Sequence, residues 1–148
     1  MYASPAVTTD ALLQLEPLPG GMTRASTARG SVEYGFVRPS VVVGRYTGTP
    51  EEPLYGPVTQ AMALQLGHER ALHVFADLEN IEGYEPALRE RWVAWFRAHR
   101  SAIASCHILF RSRLVAIGIG IIGVAIGGRV HTYGSRDEFE EALKRAGR

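Results

Sequence analysis

A short apolar run that passes through an acidic stretch into a proline-started aromatic helix constrains this chain more than any other feature. Residues 71–100 read ALHVFADLENIEGYEPALRERWVAWFRAHR. Ala71 to Ala76 is compact and apolar, the pattern of a buried strand. The next residues, Asp77-Leu78-Glu79-Asn80-Ile81-Glu82-Gly83-Tyr84, predict a polar, acidic turn with one glycine. Pro86 then opens a helix, at a position where the missing N–H has no intrahelical partner to lose. Leu88, Trp92, Trp95, Phe96, Ala102 and Ile103 follow at helical spacing and predict one heavy aromatic face. Arg89, Glu90, Arg97 and Arg100 fall largely elsewhere and are expected to be solvated. A strand feeding a helix through a short loop is half of a parallel βαβ unit, and in open α/β sheets such loops form the working edge.

The flanking segments extend this unit. Val32, Tyr34 and Phe36, then Val41 to Tyr46, predict a β-hairpin with Pro39 in its turn, because proline cannot donate to a ladder. A helix is expected after Thr49 and Pro50, firmest over Val58 to Leu66, ending at Gly67 and His68. A second apolar strand covers Cys106 to Phe110, with Arg111-Ser112-Arg113 as its exit loop. Leu114 to Gly128, LVAIGIGIIGVAIGG, predicts an apolar helix, Val130 to Tyr133 a last short strand, and Arg136 to Ala146 a closing helix. Ser135 caps that helix and Glu138 completes a capping box. Residues 1–30, rich in proline, glycine and small polar side chains, predict a flexible N-terminal arm with at most a docked patch at Leu12, Leu13 and Leu15. Residues 31–148 predict one α/β domain with a mixed sheet, in the order ββ(α)βαβαβα.

Composition narrows the function classes. With 148 residues and a formal net charge of +1, the chain has no concentrated basic footprint, so no nucleic-acid partner is expected. A single cysteine, Cys106, excludes an internal disulfide and is compatible with a reducing compartment. The N-terminus lacks the basic start and apolar run of a secretory signal, so a cytoplasmic location is expected.

The hairpin start, the strand ending in Asp77-Leu78 before a glycine-containing loop, the strand Cys106 to Phe110 and the closing Asp137-Glu138-Phe139-Glu140-Glu141-Ala142-Leu143 helix together resemble the STAS-like domains related to the bacterial anti-sigma-factor antagonist SpoIIAA, including the SpoIIAA-like or STAS/SEC14 branch. The resemblance spans roughly Ser31 to Ala146. It implies a non-enzymatic regulatory module that binds another protein. Regulatory members are switched by phosphorylating a serine or threonine at the start of the loop-following helix. Here Glu79-Asn80-Ile81-Glu82-Gly83-Tyr84-Glu85-Pro86 has neither residue, so the fold is expected to carry over without the phosphoswitch.

Several motifs need weighing against plain structural roles. Gly118-Ile119-Gly120-Ile121-Ile122-Gly123 matches the dinucleotide pattern GxGxxG with Asp137 about twenty residues on, but that fingerprint needs a preceding strand and a full following helix. No cofactor is expected. The apolar run would reach only about 22 Å as a helix, short of a bilayer's roughly 30 Å core, so no stable membrane span is expected. The acidic residues Asp77, Glu79, Glu82 and Glu85 could pair as acid and base or hold a hard cation, but plain structural roles are favoured, since capping and helix-dipole complementation explain Glu82 and Glu85 just as well. Cys106 and His107 are neighbours on a strand and point to opposite faces, so they form no dyad. His68, His73, His99 and His131 show no metal-ligand spacing. No metal site and no enzyme activity is expected.

Two classes remain. A protein-interaction module would use Asp77, Glu79, Asn80, Glu82, Gly83 and Tyr84, with Arg111 and Arg113 beside them, as its recognition edge. A binder of a small apolar molecule or lipid would instead keep a cavity of a few hundred Å³ between the aromatic and glycine-rich helices, where a fully packed interior would favour the first class. A third, weaker option is a structural subunit of an assembly. The glycine-rich helix is apolar on every side, beyond the stripe that one sheet face requires. It predicts a homodimer through Gly120, Gly123, Gly127, Ile119 and Ile122.

Overall fold

The computed structural model describes residues 13–125 and 127–148, and of Leu114, Ile122 and Ala125 the backbone alone. Seven strands form one sheet in sequence order: β1 (Gln14–Pro17), β2 (Thr23–Ser26), β3 (Gly30–Arg38), β4 (Val41–Gly48), β5 (Leu72–Ile81), β6 (Ile103–Leu109) and β7 (Val130–Tyr133). The first four run antiparallel, and β4 to β7 are parallel. The parallel neighbours are joined by α1 (Tyr55–Gln65), α2 (Pro86–Ala98) and α3 (Arg113–Ala125), and α4 (Arg136–Arg145) follows β7. Parallel crossovers are right-handed with few exceptions. Strands added always on the same side therefore place all three crossover helices on one face.

Two cores reflect that arrangement. On the crossover-helix face, Val58, Met62, Trp95, Phe96, Val115 and Ile119 pack over Val32, Val42, Leu72, Val74, Cys106 and Ile108. On the other face α4 alone supplies Phe139 and Leu143, against Val41, Val43, Phe75 and Leu109. The central strands are thus apolar on both sides, which is why Ala71 to Ala76 reads as a continuous run.

The hairpin is β3–β4 with Pro39 in the turn, and the proline-started helix is α2, as the spacing predicts. Ser135 caps α4, accepting from the Glu138 amide at 3.4 Å. Three expectations need correction. Residues 14–26 are no free arm: they form β1 and β2, and the sheet starts at Gln14 rather than at residue 31. These strands lack apolar alternation because they form the sheet's edge. Backbone pairing to β3 and the Arg24 bridges to Glu33 (2.6 Å) and Glu16 (3.1 Å) hold them instead. Leu13 packs against the core and Leu15 is exposed, while Leu12 lies outside the described residues.

The second correction concerns the acidic turn. Asp77 to Ile81 continues β5, and the loop is only residues 82–85. A register shift against Arg45 and Thr47 marks a bulge there. Leu78 and Ile81 both pack against the crossover-helix core, while the carboxylates of Asp77 and Glu79 reach arginines on the α4 side. In the third, the helix after Thr49 starts later, with a single 3-10 turn at Glu52–Leu54 and α1 from Tyr55.

Candidate functional site

Two of the three carboxylates of the expected recognition edge, Asp77 and Glu79, are already neutralised by arginines. Asp77 is 4% exposed. It accepts from Arg45 Nη1 at 3.0 Å, from Arg136 Nη2 at 3.0 and 2.9 Å, and from the Glu79 amide at 3.3 Å. Glu79 takes Arg136 Nε at 2.7 Å and Arg111 Nη2 at 2.9 Å. Glu140 on α4 closes the network, bidentate to Arg45 at 2.9 and 3.2 Å and bonded to Arg136 at 2.8 Å. The hydrogen bond from Arg136 is the main reason the Glu79 carboxyl titrates below its usual range. For Arg45, burial opposes the charge, but the bonds to Glu140 and Asp77 outweigh it and its pKa rises. This network ties α4 to β4 and β5.

The remaining edge residues scatter. Asn80, Glu82, Arg111 and Arg113 are exposed, and Gly83 and Tyr84 are half-buried. The Glu82 amide donates to Gly48 O at 2.8 Å, which holds the loop to the end of β4. Arg111 does lie beside the acidic strand, through Glu79. Tyr84 sits on the opposite side of the sheet from Asp77, against the crossover-helix core.

On that side the interior is not filled. A cavity of about 120 Å³ lies between the sheet and the crossover helices. Its sheet lining includes the small residues Gly44, Ala76 and Cys106, and its helix lining Leu88, Trp92, Phe96, Val115 and Ile119. Small side chains opposite a helix leave space that the helix cannot collapse into. Tyr46 also lines it, is 9% exposed, and its hydroxyl has no hydrogen-bond partner among the described residues. Burial pushes that phenol far above its ordinary pKa, so it stays protonated. Leu78, Ile81, Tyr84, Arg89 and Trp92 are half-exposed and form the rim.

Gly118 explains how the rim fits under α3. A Cβ at that position would stand 2.9 Å from the Tyr84 hydroxyl and 3.5 Å from Arg89 Cδ. A glycine inside a helix costs about 1 kcal/mol relative to alanine, and here it admits these two side chains. Arg89 Nη1 donates to Tyr84 Oη at 3.3 Å, with its guanidinium 5.8 Å from the ring centre. The helical periodicity assigns Arg89 to solvent; the folded chain places it on the cavity wall.

The glycines expected to form a self-association stripe are differently placed. Gly120 and Gly127 are exposed, with open space where a Cβ would stand, whereas a Cβ on Gly123 would meet Val130 Cγ2 at 3.7 Å. Ile119 faces inward and is buried; the Ile122 side chain lies outside what is described. The outward face of α3 carries Ile117, Ile121 and Val124, exposed by 65%, 41% and 77%. Gly127 and Gly128 end the helix with φ of 76° and 82°. The GxGxxG residues therefore lie within a helix, where no phosphate-cradling turn exists.

A hydrogen-bonded chain on the α4 side escaped the sequence reading. His73 Nδ1 meets Ser105 Oγ at 2.7 Å, Ser105 Oγ meets His107 Nε2 at 2.8 Å, and His107 Nδ1 meets the Tyr133 hydroxyl at 2.7 Å. His107 stacks between Phe75 at 4.1 Å and His131 at 4.8 Å. Burial, with smaller contributions from His131 and His73, lowers its pKa to about 4. Parallel register brings these residues together from three strands, which no spacing in the chain announces. Cys106 points the other way, and burial pushes its thiol up to about 12. Among the described residues no group of three or more His, Cys, Asp or Glu is placed to hold a metal ion. No helix of the described residues is long and apolar enough to cross a membrane.

No family model matches the sequence, and no curated protein does. Among solved structures, the chain is similar to an uncharacterized protein of the DUF3478 family from Shewanella loihica PV-4, described as having a SpoIIAA-like fold. The two share 11% identity with a TM-score of 0.63, over 80% of this chain and 98% of that one. The fold is SpoIIAA-like. Within this SpoIIAA-like frame the segment before α2 offers Tyr84 as its one hydroxyl, half-buried against Arg89.

Proposed function

We propose that this chain is a non-enzymatic binding module whose cavity beneath α2 and α3 receives a small apolar ligand. The cavity carries this reading. It opens between half-exposed rim residues onto walls that are mostly apolar, so water entering its 120 Å³ is poorly bound there and a ligand gains by displacing it. Tyr46 on its lining is buried, and its hydroxyl has no hydrogen-bond partner among the described residues, an unmet polar group that a ligand could satisfy. The volume is below the few hundred Å³ of drug-sized pockets. It approaches the roughly 150 Å³ of an engineered cavity that takes benzene or xenon. The ligand, or the part that enters, therefore has about the bulk of a benzene ring.

Hexanol is a suitable first probe, and Trp92 on the lining is the reporter. Titration should give a saturable change in tryptophan fluorescence. Ala76→Leu, which fills the cavity, should abolish it while the far-UV spectrum stays that of a folded chain. An unmodified chain that shows no saturable change refutes the reading.

The regulatory alternative, docking onto another protein, draws support from a different observation. The outward face of α3 presents Ile117, Ile121 and Val124 around Gly120, and exposed apolar patches of this kind mark interaction sites. A second copy of the chain is the simplest occupant, since two-fold dimers are the commonest closed assembly. Gly120→Leu is the appropriate test, because Gly123→Leu would also press on Val130. Light scattering should show a dimer that the variant weakens; a monomer at high micromolar concentration refutes it. The acidic stretch supports docking less, because Asp77 and Glu79 already hold arginines.

A further inference from the structure

We infer that the cavity ligand is a small carboxylate, its apolar body inside and its anionic head on the Arg89 guanidinium at the rim. The inference rests on the cavity reading above and adds the chemistry of the head. Arg89 is the one charged side chain among the described residues that line the cavity, and no described carboxylate lies within ion-pair distance of it. Other arginines on the same helix and across the sheet do have acidic partners: Arg91 pairs with Glu52 at 3.3 Å, and Arg45, Arg111 and Arg136 share Asp77, Glu79 and Glu140. Arg89 instead holds only the Tyr84 hydroxyl, at 3.3 Å, and that long bond leaves most of its N–H donors free for an anion.

The geometry around it is built rather than incidental. Gly118 is required for Tyr84 and Arg89 to stand where they do, since a side chain there would meet the Tyr84 hydroxyl at 2.9 Å. The Glu85 carboxylate, four residues earlier on the same turn, is turned away and accepts from the Glu52 amide at 2.9 Å. A planar guanidinium beside a phenol offers converging donors that match the two oxygens of a carboxylate. Half-burial at an apolar rim strengthens that attraction relative to water. A neutral molecule of the same bulk would fill the cavity and leave these donors to solvent.

Sodium hexanoate and hexanol share the same chain and differ in the head, so their comparison isolates it. Titrated into the full chain and followed by tryptophan fluorescence, hexanoate should bind about tenfold more tightly, the ratio expected of one charge-assisted contact. Arg89→Gln should bring the two affinities together by weakening hexanoate about tenfold more than hexanol. Arg89→Lys, which keeps the charge and loses the fork, should recover part of the difference. Arg89 has no ion pair to lose, so the variants should keep the parent's far-UV spectrum. Hexanol binding as tightly as hexanoate, or a hexanoate preference that survives Arg89→Gln, overturns the assignment of the head while the cavity reading stands. Failure of both compounds to bind overturns the cavity reading and this inference with it.

Discussion

Asp77→Asn tests whether the acidic end of β5 holds the fold or waits for a partner. The substitution keeps the side chain's size and removes its charge from between Arg45 and Arg136. Breaking a fully buried ion pair by removing one partner costs about 3–5 kcal/mol, and an exposed pair is worth about 0.2–1 kcal/mol. Asp77 itself belongs to the first class, with a side chain 5% exposed, but Arg45 and Arg136 are about one-third exposed, at 34% and 37%. Both guanidinia also keep Glu140, and Arg136 keeps Glu79, so neither cation is orphaned. The loss should therefore fall between the limits, at about 2 kcal/mol. Urea unfolding followed by far-UV circular dichroism reads it. Amide hydrogen exchange should show α4 losing protection first, since the network is its polar attachment to the sheet. A change below about 0.5 kcal/mol, the size of a surface substitution, would show that the network contributes nothing and that Asp77 is free for recognition.

Two further outcomes follow from the same geometry. His107 is held near a pKa of about 4 against an ordinary 6.5, so the unfolded chain binds its proton first. Stability should be complete above about pH 6.5 and fall as the pH drops toward about 4, a slope in the urea midpoint that His107→Phe should flatten. Trp95 is buried and packs edge-on against Phe96 at 5.4 Å, so Trp95→Ala should cost about 3–5 kcal/mol in urea unfolding; a cost below about 1 kcal/mol would place α2 off the sheet.

The parts of the fold legible in the sequence are those where one local pattern decides. Ala71 to Ala76 could only be buried on both faces, Pro86 could only start a helix, and Ser135 with Glu138 fixed the start of α4. The extent of β5 was not legible, because Asp77 and Glu79 look like loop residues until arginines from β4 and α4 neutralise them. β1 and β2 were hidden for a similar reason. An edge hairpin held by backbone pairing and by Arg24 has no apolar period to display. The cavity left one local trace, Gly118 in mid-helix, but its cause sits on the loop before α2. Arg89 was assigned to water because helical periodicity sees one helix at a time, and the wall it joins belongs to α3 and the sheet.

The two polar features near the end of β5 therefore answer to different faces of one strand. His73, Phe75 and Asp77 turn toward α4, and Leu72, Val74, Ala76 and Leu78 turn toward the crossover helices. The bulge after Asp77 resets the alternation and returns Ile81 to the helix side beside Tyr84. An intact sheet separates the arginine–carboxylate network from the cavity, and the two have no residue in common. Sites without shared partners behave additively. Asp77→Asn should lower stability by the same amount in the Arg89→Gln background as in the parent, and Arg89→Gln should change hexanoate binding equally in both. A cycle that departs from additivity by more than about 0.5 kcal/mol would mean that the strand transmits between its faces, and the acidic network would then belong to the ligand site after all.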